Sequence, residues 1–217
     1  MTIADVAKLD IPFQFGCDDE CMETSAIEDV YDQLDNSVET KYGASKFVIL
    51  SDNWNEVIKI PFNGSFDWEQ DDDNEDGGEY HFNEFITKDY CALEAAIYAD
   101  AVALGVADFF AGTKYAGMTN DGITPYYVSE RVYTFYDKEG RKNSKTASED
   151  SWNKAKKLKS ALSKEWLALA IEWYGDAAVN DLLAFIDLEN IYDLHSDNIG
   201  FRANGAPVVL DYSGFDS

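Results

Sequence analysis

Tyr192-Asp193-Leu194-His195-Ser196-Asp197-Asn198, followed by Val208-Val209-Leu210-Asp211-Tyr212-Ser213-Gly214-Phe215, is the stretch on which the fold turns. Each half sets metal-capable polar side chains beside an apolar, β-like run. Asp193 and Asn198 stand five apart, and the second half ends a strand on an acid that Ser-Gly follows two residues later. On the residues alone, two readings stay open. One is a β-hairpin whose Asp, Asn and Ser side chains make turns by bonding nearby backbone. The other is a site in which a carboxylate orients an acceptor hydroxyl, while an amide oxygen and a second carboxylate hold a metal against phosphates.

Asp-x-x-x-x-Asn followed by a strand-ending acid and a glycine resembles the catalytic loop and the metal-binding Asp-Phe-Gly segment of protein kinases and small-molecule phosphotransferases. Asp-Leu-His-Ser-x-Asn in particular resembles the catalytic loop of phage-encoded kinases, including early podophage kinases that attack host transcription. The resemblance implies ATP and Mg2+ as cofactors. It makes Asp193 the group that orients or deprotonates the acceptor hydroxyl, and Asn198 and Asp211 the metal ligands. Two departures stand out: Ile191 occupies the place of the histidine in His-Arg-Asp, and Asp197 replaces a frequent glycine. A carboxylate beside Asn198 would add a metal ligand or repel phosphate.

Composition narrows the class further. A formal charge of -25 in 217 residues, with a sequence pI near 4.1, argues against direct binding to nucleic acid or an anionic membrane, since phosphate contact needs local positive charge. The same charge permits imitation of a nucleic acid, although solubility and mutual repulsion explain it more simply. Hydrophobic residues at 46% and aromatics at 14% suffice for a core. Cys17, Cys21 and Cys91 do not make a disulfide framework, and with only His81 and His195 beside them a structural zinc site is not expected. Ala92 to Gly112 is apolar but interrupted by Glu94, Asp100 and Asp108, so it is not read as a membrane span. No signal pattern opens the sequence. A soluble protein of a reducing cytoplasm is expected (the host's, if the chain is phage-encoded).

Working back from the tail, three segments are expected: an acidic helical segment over 1–40, a sheet and helix over 41–135, and a helical segment carrying the tail motifs over 136–217. Ile27, Val30, Tyr31 and Leu34 recur at helical spacing and predict a short helix that covers the sheet. Residues 46–50 and 56–60 predict an antiparallel hairpin. The acidic run Asp67 to Glu79, with Gly77-Gly78, predicts a solvated loop. Thr87 to Gly105 predicts a helix, with Thr87 as cap, Asp89 in its first turn, Leu93, Ile97, Ala101 and Leu104 on one face, and Gly105 or Gly112 as stop. Strands are expected over 113–116 and 123–132 around the turn Asn120-Asp121-Gly122. Nine of the 17 basic residues fall between Lys138 and Lys164, where they would fold back on acidic segments or dock an acidic partner. Helix follows from Trp166.

The resemblance gives these segments roles. It implies an α+β, protein-kinase-like fold: an antiparallel N-lobe sheet with one long helix, plus a reduced helical C-lobe. Lys59, in Val57-Ile58-Lys59-Ile60, matches the strand lysine that grips phosphate; read by itself it could as well be an edge-strand lysine that discourages aggregation. Glu94 matches the helix glutamate that pairs with that lysine, against the reading of a surface glutamate. Gly43 and Ser45 occupy the place of the glycine-rich phosphate cover, where the kinase pattern has three glycines. Glu130, in Ser129-Glu130-Arg131-Val132, falls at the adenine-binding hinge. The resemblance covers roughly residues 40–215, ends before an activation segment, and leaves no candidate for holding a peptide acceptor. It implies a serine/threonine phosphotransferase acting on a host protein or on itself. The alternative is a weak or inactive kinase-fold inhibitor whose acidic surface occupies a basic site on host RNA polymerase, a nucleoid protein or a restriction factor, as a DNA mimic. Oligomeric state is not legible.

Overall fold

Residues 46–50 and 56–61 place alternate side chains on opposite faces, as strands must. The computed structural model describes residues 1–11, 25–43, 45–62, 64–67, 79–82, 88–137, 140 and 142–214. In it, Lys46–Leu50 (β2) and Glu56–Pro61 (β3) pair antiparallel, with Phe47 opposite Ile60 and Ile49 opposite Ile58. All four are fully buried, in one cluster with Val6, Leu9, Ile11, Val30, Phe62 and Tyr126. Burial of each such side chain stabilises the fold by about 1.5–3 kcal/mol relative to leaving it in water. Glu39–Tyr42 (β1) pairs with β2. Its Glu-Thr-Lys-Tyr sequence has no apolar alternation, so pairing with β2 rather than local pattern makes it a strand. Gly64–Asp67 (β4) and Glu79–Phe82 (β5) form a separate antiparallel ladder, and residues 68–78 of the acidic run between them lie outside the described residues.

Thr113–Met118 (β6) and Pro125–Glu130 (β7) flank the expected turn, where Gly122 takes φ +69. They complete an antiparallel five-stranded sheet of order β1-β2-β3-β7-β6. The structure is thus of mixed α+β class. Residues 1–11 are part of this core. Val6 and Ile11 are fully buried, the Asn120 N–H donates to the Leu9 carbonyl at 2.9 Å, and the Thr124 hydroxyl donates to the Ile11 carbonyl. The expected helix, Ser25–Gln33 (α1), contributes Val30 to the same core. Its Gln33 exchanges hydrogen bonds with the backbone of Asp10 at 2.8 and 2.9 Å.

Contacts divide the chain at points other than 1–40, 41–135 and 136–217. One unit holds Met1–Ala92 and Lys114–Ser129; the other holds Leu93–Thr113 and Glu130–Ser217. Helix Tyr90–Leu104 (α2) begins in the first and continues in the second. Asp89 lies before the helix, not in its first turn, and accepts the Ala92 N–H at 2.8 Å as its cap; Thr87 lies outside the described residues. Gly105, at φ +77, ends the helix, as left-handed glycine commonly does. The buried face also differs from the expected one. Tyr90, Cys91, Glu94, Ile97 and Ala101 are buried, whereas Leu93 is 38% and Leu104 59% exposed. The stripe that packs includes Glu94, because a helix buries what its neighbours cover and not its most apolar set.

In the second unit, Glu149–Ala155 (α3), Lys164–Tyr174 (α4) and Asp176–Leu188 (α5) follow. Serines 148 and 163 cap the first two through the N–H groups of Ser151 and Trp166. Gly175 at φ +91 separates α4 from α5. Trp166 to Ile171 are all buried, as a helix apolar all round should be. Tyr133–Thr134 (β8), Ile199–Phe201 (β9) and Pro207–Val209 (β10) form a three-stranded sheet of order β10-β9-β8. Gly200 is required there, since a Cβ on it would lie 1.9 Å from the Tyr133 carbonyl oxygen. Basic residues of 138–164 meet local partners: Lys154 pairs with Asp150 at 2.7 Å and Asp176 at 2.8 Å, and Lys145 lies over the Trp173 ring. Lys138 and Arg141 lie outside the described residues. No described helix is long and apolar enough to cross a membrane.

Buried tyrosines set an alkaline limit. Burial pushes the Tyr174 hydroxyl from 10.0 up to about 12, with Asp108 and Glu130 adding to the shift and Arg202 opposing it. Burial also raises Tyr127, helped by Asp89, and Tyr212, helped by Glu94. Ionising such a group is harder in the folded chain than in the unfolded one. Its stabilising effect is therefore complete below pH 10 and is lost as the pH climbs from there towards 12. Urea midpoints should hold level up to about pH 9.5 and then fall; midpoints unchanged at pH 11 would contradict this assignment.

Candidate functional site

The Asp193 loop is fixed by the residues around it. After α5, Asn190 turns the chain at φ +54, and Ile191 and Leu194 insert into the core of the second unit at 3% and 4% exposure. Between these anchors, Tyr192 and Asp193 face outward. Ile191 thus serves as an apolar anchor. Asn198, 8% exposed, donates its Nδ2 to the Asp193 carbonyl at 2.8 Å and its N–H to the His195 carbonyl at 3.1 Å. The amide nitrogen is spent on holding the loop. The amide oxygen then remains as the donor atom able to meet a cation.

Asp211 follows β10 directly. Leu210 donates its N–H to the Asn198 carbonyl at 3.0 Å, which sets the two halves of the tail side by side. Gly214, at φ +44, closes the arrangement: a Cβ on it would lie 3.9 Å from the Cβ and N of Asp193. The Ser213 hydroxyl lies 3.5 Å from Asp211 Oδ1. Tyr212, 1% exposed, points the other way into the core, where it meets Phe110 edge-on and donates to the Ala111 carbonyl at 2.8 Å. The second unit therefore brings together Asp193, Asn198 and the Asp211–Gly214 segment.

Sequence reasoning assigned no role to His195, and the structure places it against Asp193. Its Nδ1 accepts the Asp197 N–H at 3.2 Å, which puts the proton of a neutral ring on Nε2, 3.4 Å from Asp193 Oδ1. The signal was present as the polar residue two places after the acid. Asp197 points its carboxylate outward, with a side chain 73% exposed. Among the described residues no group of three or more His, Cys, Asp or Glu could hold a metal. An all-protein metal cage is absent from that set, yet magnesium held partly by phosphate oxygens needs only one or two carboxylates. Asn198 and Asp211 supply the hard oxygen donors such an ion takes, so the residues fit it.

Glu94 is fully buried and accepts the Thr113 hydroxyl at 2.6 Å, which excludes the reading of a surface glutamate. Glu130 is committed elsewhere. Its carboxylate is held by Arg202 through Nε at 2.7 Å and Nη2 at 2.9 Å, and its N–H donates to the Gly112 carbonyl. Its side chain and its N–H thus each have a partner within the second unit. The division between units falls between Ser129 and Glu130.

The remaining candidates belong to the first unit. Lys59 is 8% exposed on β3, the middle strand of the five-stranded sheet, and pairs in register with Val48. It is not an edge-strand lysine. Ile58 and Ile60 occupy the apolar core, so Lys59 stands on the opposite face of the strand, as alternation requires. Gly43 donates its N–H to the Lys46 carbonyl, and the Ser45 carbonyl accepts the Phe62 N–H, in the turn from β1 to β2. A Cβ on Gly43 would meet nothing within 4 Å. Packing therefore does not demand glycine there.

No model of a known protein family matches the chain, and no curated protein matches it either.

Proposed function

We propose that this chain is a protein-kinase-like phosphotransferase that uses ATP and Mg2+, of the serine/threonine kind encoded by phages, acting in the host cytoplasm on a host protein or on itself. The observation that carries the reading is the hydrogen bond from Asn198 Nδ2 to the Asp193 carbonyl, with Leu210 bonded to Asn198 in turn. That pair of bonds holds a carboxylate, an amide oxygen and a second carboxylate in one unit, in the chain order that the kinase motifs require.

In this reading Asp193 holds the acceptor hydroxyl and takes its proton, while Asn198 Oδ1 and Asp211 bind the magnesium. When bound, that ion neutralises phosphate charge. Lys59 takes phosphate oxygens, and Glu94 is the carboxylate the resemblance pairs with it. The kinase-like architecture, an antiparallel N-lobe sheet with one long helix and a reduced helical C-lobe, belongs to the same proposal. ATP with magnesium should raise the melting temperature, because a ligand that binds only the folded chain stabilises it by about 2.7 kcal/mol at a hundred times its Kd. For a chain of this size that is about 5–10 °C. ADP and magnesium-free ATP serve as controls, and an unmoved melting temperature at millimolar ATP would remove the nucleotide reading.

The charge of -25 favours a second reading. In it, the same scaffold is an inhibitor that imitates nucleic acid and occupies a basic site on a host protein. Such a complex weakens with salt, since exposed charges are screened over about 10 Å at 0.1 M ionic strength. It is indifferent to Asp211→Asn.

A further inference from the structure

Glu94 is 0% exposed and Thr113 is 2% exposed. A carboxylate that far from water is costly unless its oxygens are bonded. Thr113 answers part of that cost with one proton. Its hydroxyl lies 2.6 Å from Glu94 Oε1 and 3.4 Å from the Ala111 carbonyl, and a single proton follows the shorter contact. The Ala111 carbonyl is meanwhile served by the Tyr212 hydroxyl at 2.8 Å. The Ala111 N–H is bonded to the Val209 carbonyl at 2.8 Å. The segment from Ala111 to Thr113 thus joins the helix glutamate on one side to the two ends of the Leu210–Asp211 step on the other.

We infer that Thr113 is a positioning residue for nucleotide binding: its hydroxyl, bonded at 2.6 Å, fixes the Glu94 carboxylate. The inference rests on the phosphotransferase reading and extends it to a residue that no motif contains. Thr113 does not touch the nucleotide in this account. It acts through Glu94, so its loss lowers affinity for ATP and spares the step that Asp193 performs.

Calorimetric titration with ATP and magnesium, well below the melting temperature, tests this on the full chain. Wild type, Thr113→Val and Thr113→Ser are compared. Valine keeps the shape and loses the proton; serine keeps the proton and loses a methyl. A hydrogen bond to a charged group is strong enough that valine should raise the Kd about tenfold, with serine within about twofold of wild type. In turnover assays the valine variant should raise KM for ATP with kcat little changed. If valine prevents folding, Thr113→Cys, with its weak S–H donor, takes its place under the same expectation. Valine binding as tightly as wild type overturns the inference, as does serine binding as weakly as valine. Wild type that binds no ATP overturns the phosphotransferase reading itself, and this inference with it.

Discussion

Asp193→Asn should leave the chain folded and lower transfer of label from radioactive ATP by about 10²–10⁴-fold, the range expected when a positioned general base is lost. The loop does not depend on the carboxylate for its shape. Its backbone is anchored by Ile191 and Leu194 in the core, and the bond from Asn198 goes to the Asp193 carbonyl, not to its side chain. The side chain is 37% exposed and only approached by His195, so an isosteric amide fits the same space. What changes is proton affinity: an amide orients a hydroxyl poorly and cannot accept its proton. ATP binding, read from the melting shift, should stay near the wild-type value, since the proposed metal ligands are Asn198 and Asp211. Equal labelling of wild type and Asp193→Asn would discard the assignment of Asp193 as base.

Glu130→Ala should destabilise the fold by about 1–3 kcal/mol, the cost of leaving a half-buried cation without its charged partner. Arg202 is 20% exposed in its side chain and is saturated with acceptors. Besides Glu130, Nη1 reaches the Asp108 carbonyl at 2.6 Å and the Tyr174 hydroxyl at 3.3 Å, and Nη2 reaches the Phe110 carbonyl at 2.9 Å. Burial opposes the guanidinium's charge, but Glu130 more than offsets it and holds the group protonated. Removing Glu130 leaves that cation against two carbonyls and the Tyr174 hydroxyl, with no opposite charge. Replacing both residues by methionine should recover much of the loss, because an apolar pair needs no desolvated charge. Urea unfolding of the single and double variants measures both effects; a single variant within 1 kcal/mol of wild type would mean that water already screens the pair.

Much of the local structure was legible because it is written in periodicity and in turn chemistry. The alternation through Phe47, Ile49, Ile58 and Ile60, the Asn-Asp-Gly turn at 120–122 and the apolar run from Trp166 each declare an element without help from the rest of the chain. The pairing of the two tail motifs was legible as well, since their separation is that of a hairpin. Less legible were strand β1, whose residues carry no alternation, and the buried stripe of α2, where Glu94 displaced Leu93 and Leu104. Glu130 shows the same limit. Its place in the chain marked it as a ligand contact, and only the arrival of Arg202 from 72 residues away reveals its commitment.

By itself the sequence determined which segments are strands and helices, where turns fall, and that Asp193, Asn198 and Asp211 come in an order suited to holding metal and hydroxyl. Those properties are local, set by side-chain period and backbone preference within a few residues. Only the tertiary structure decided that Lys59 lies on an interior strand, that Glu94 is buried against Thr113, that the first eleven residues complete a core, and that Glu130 belongs to Arg202. These are properties of what a residue meets after folding. Burial and hydrogen bonding depend on partners far away in the chain, and no window of neighbouring residues contains them.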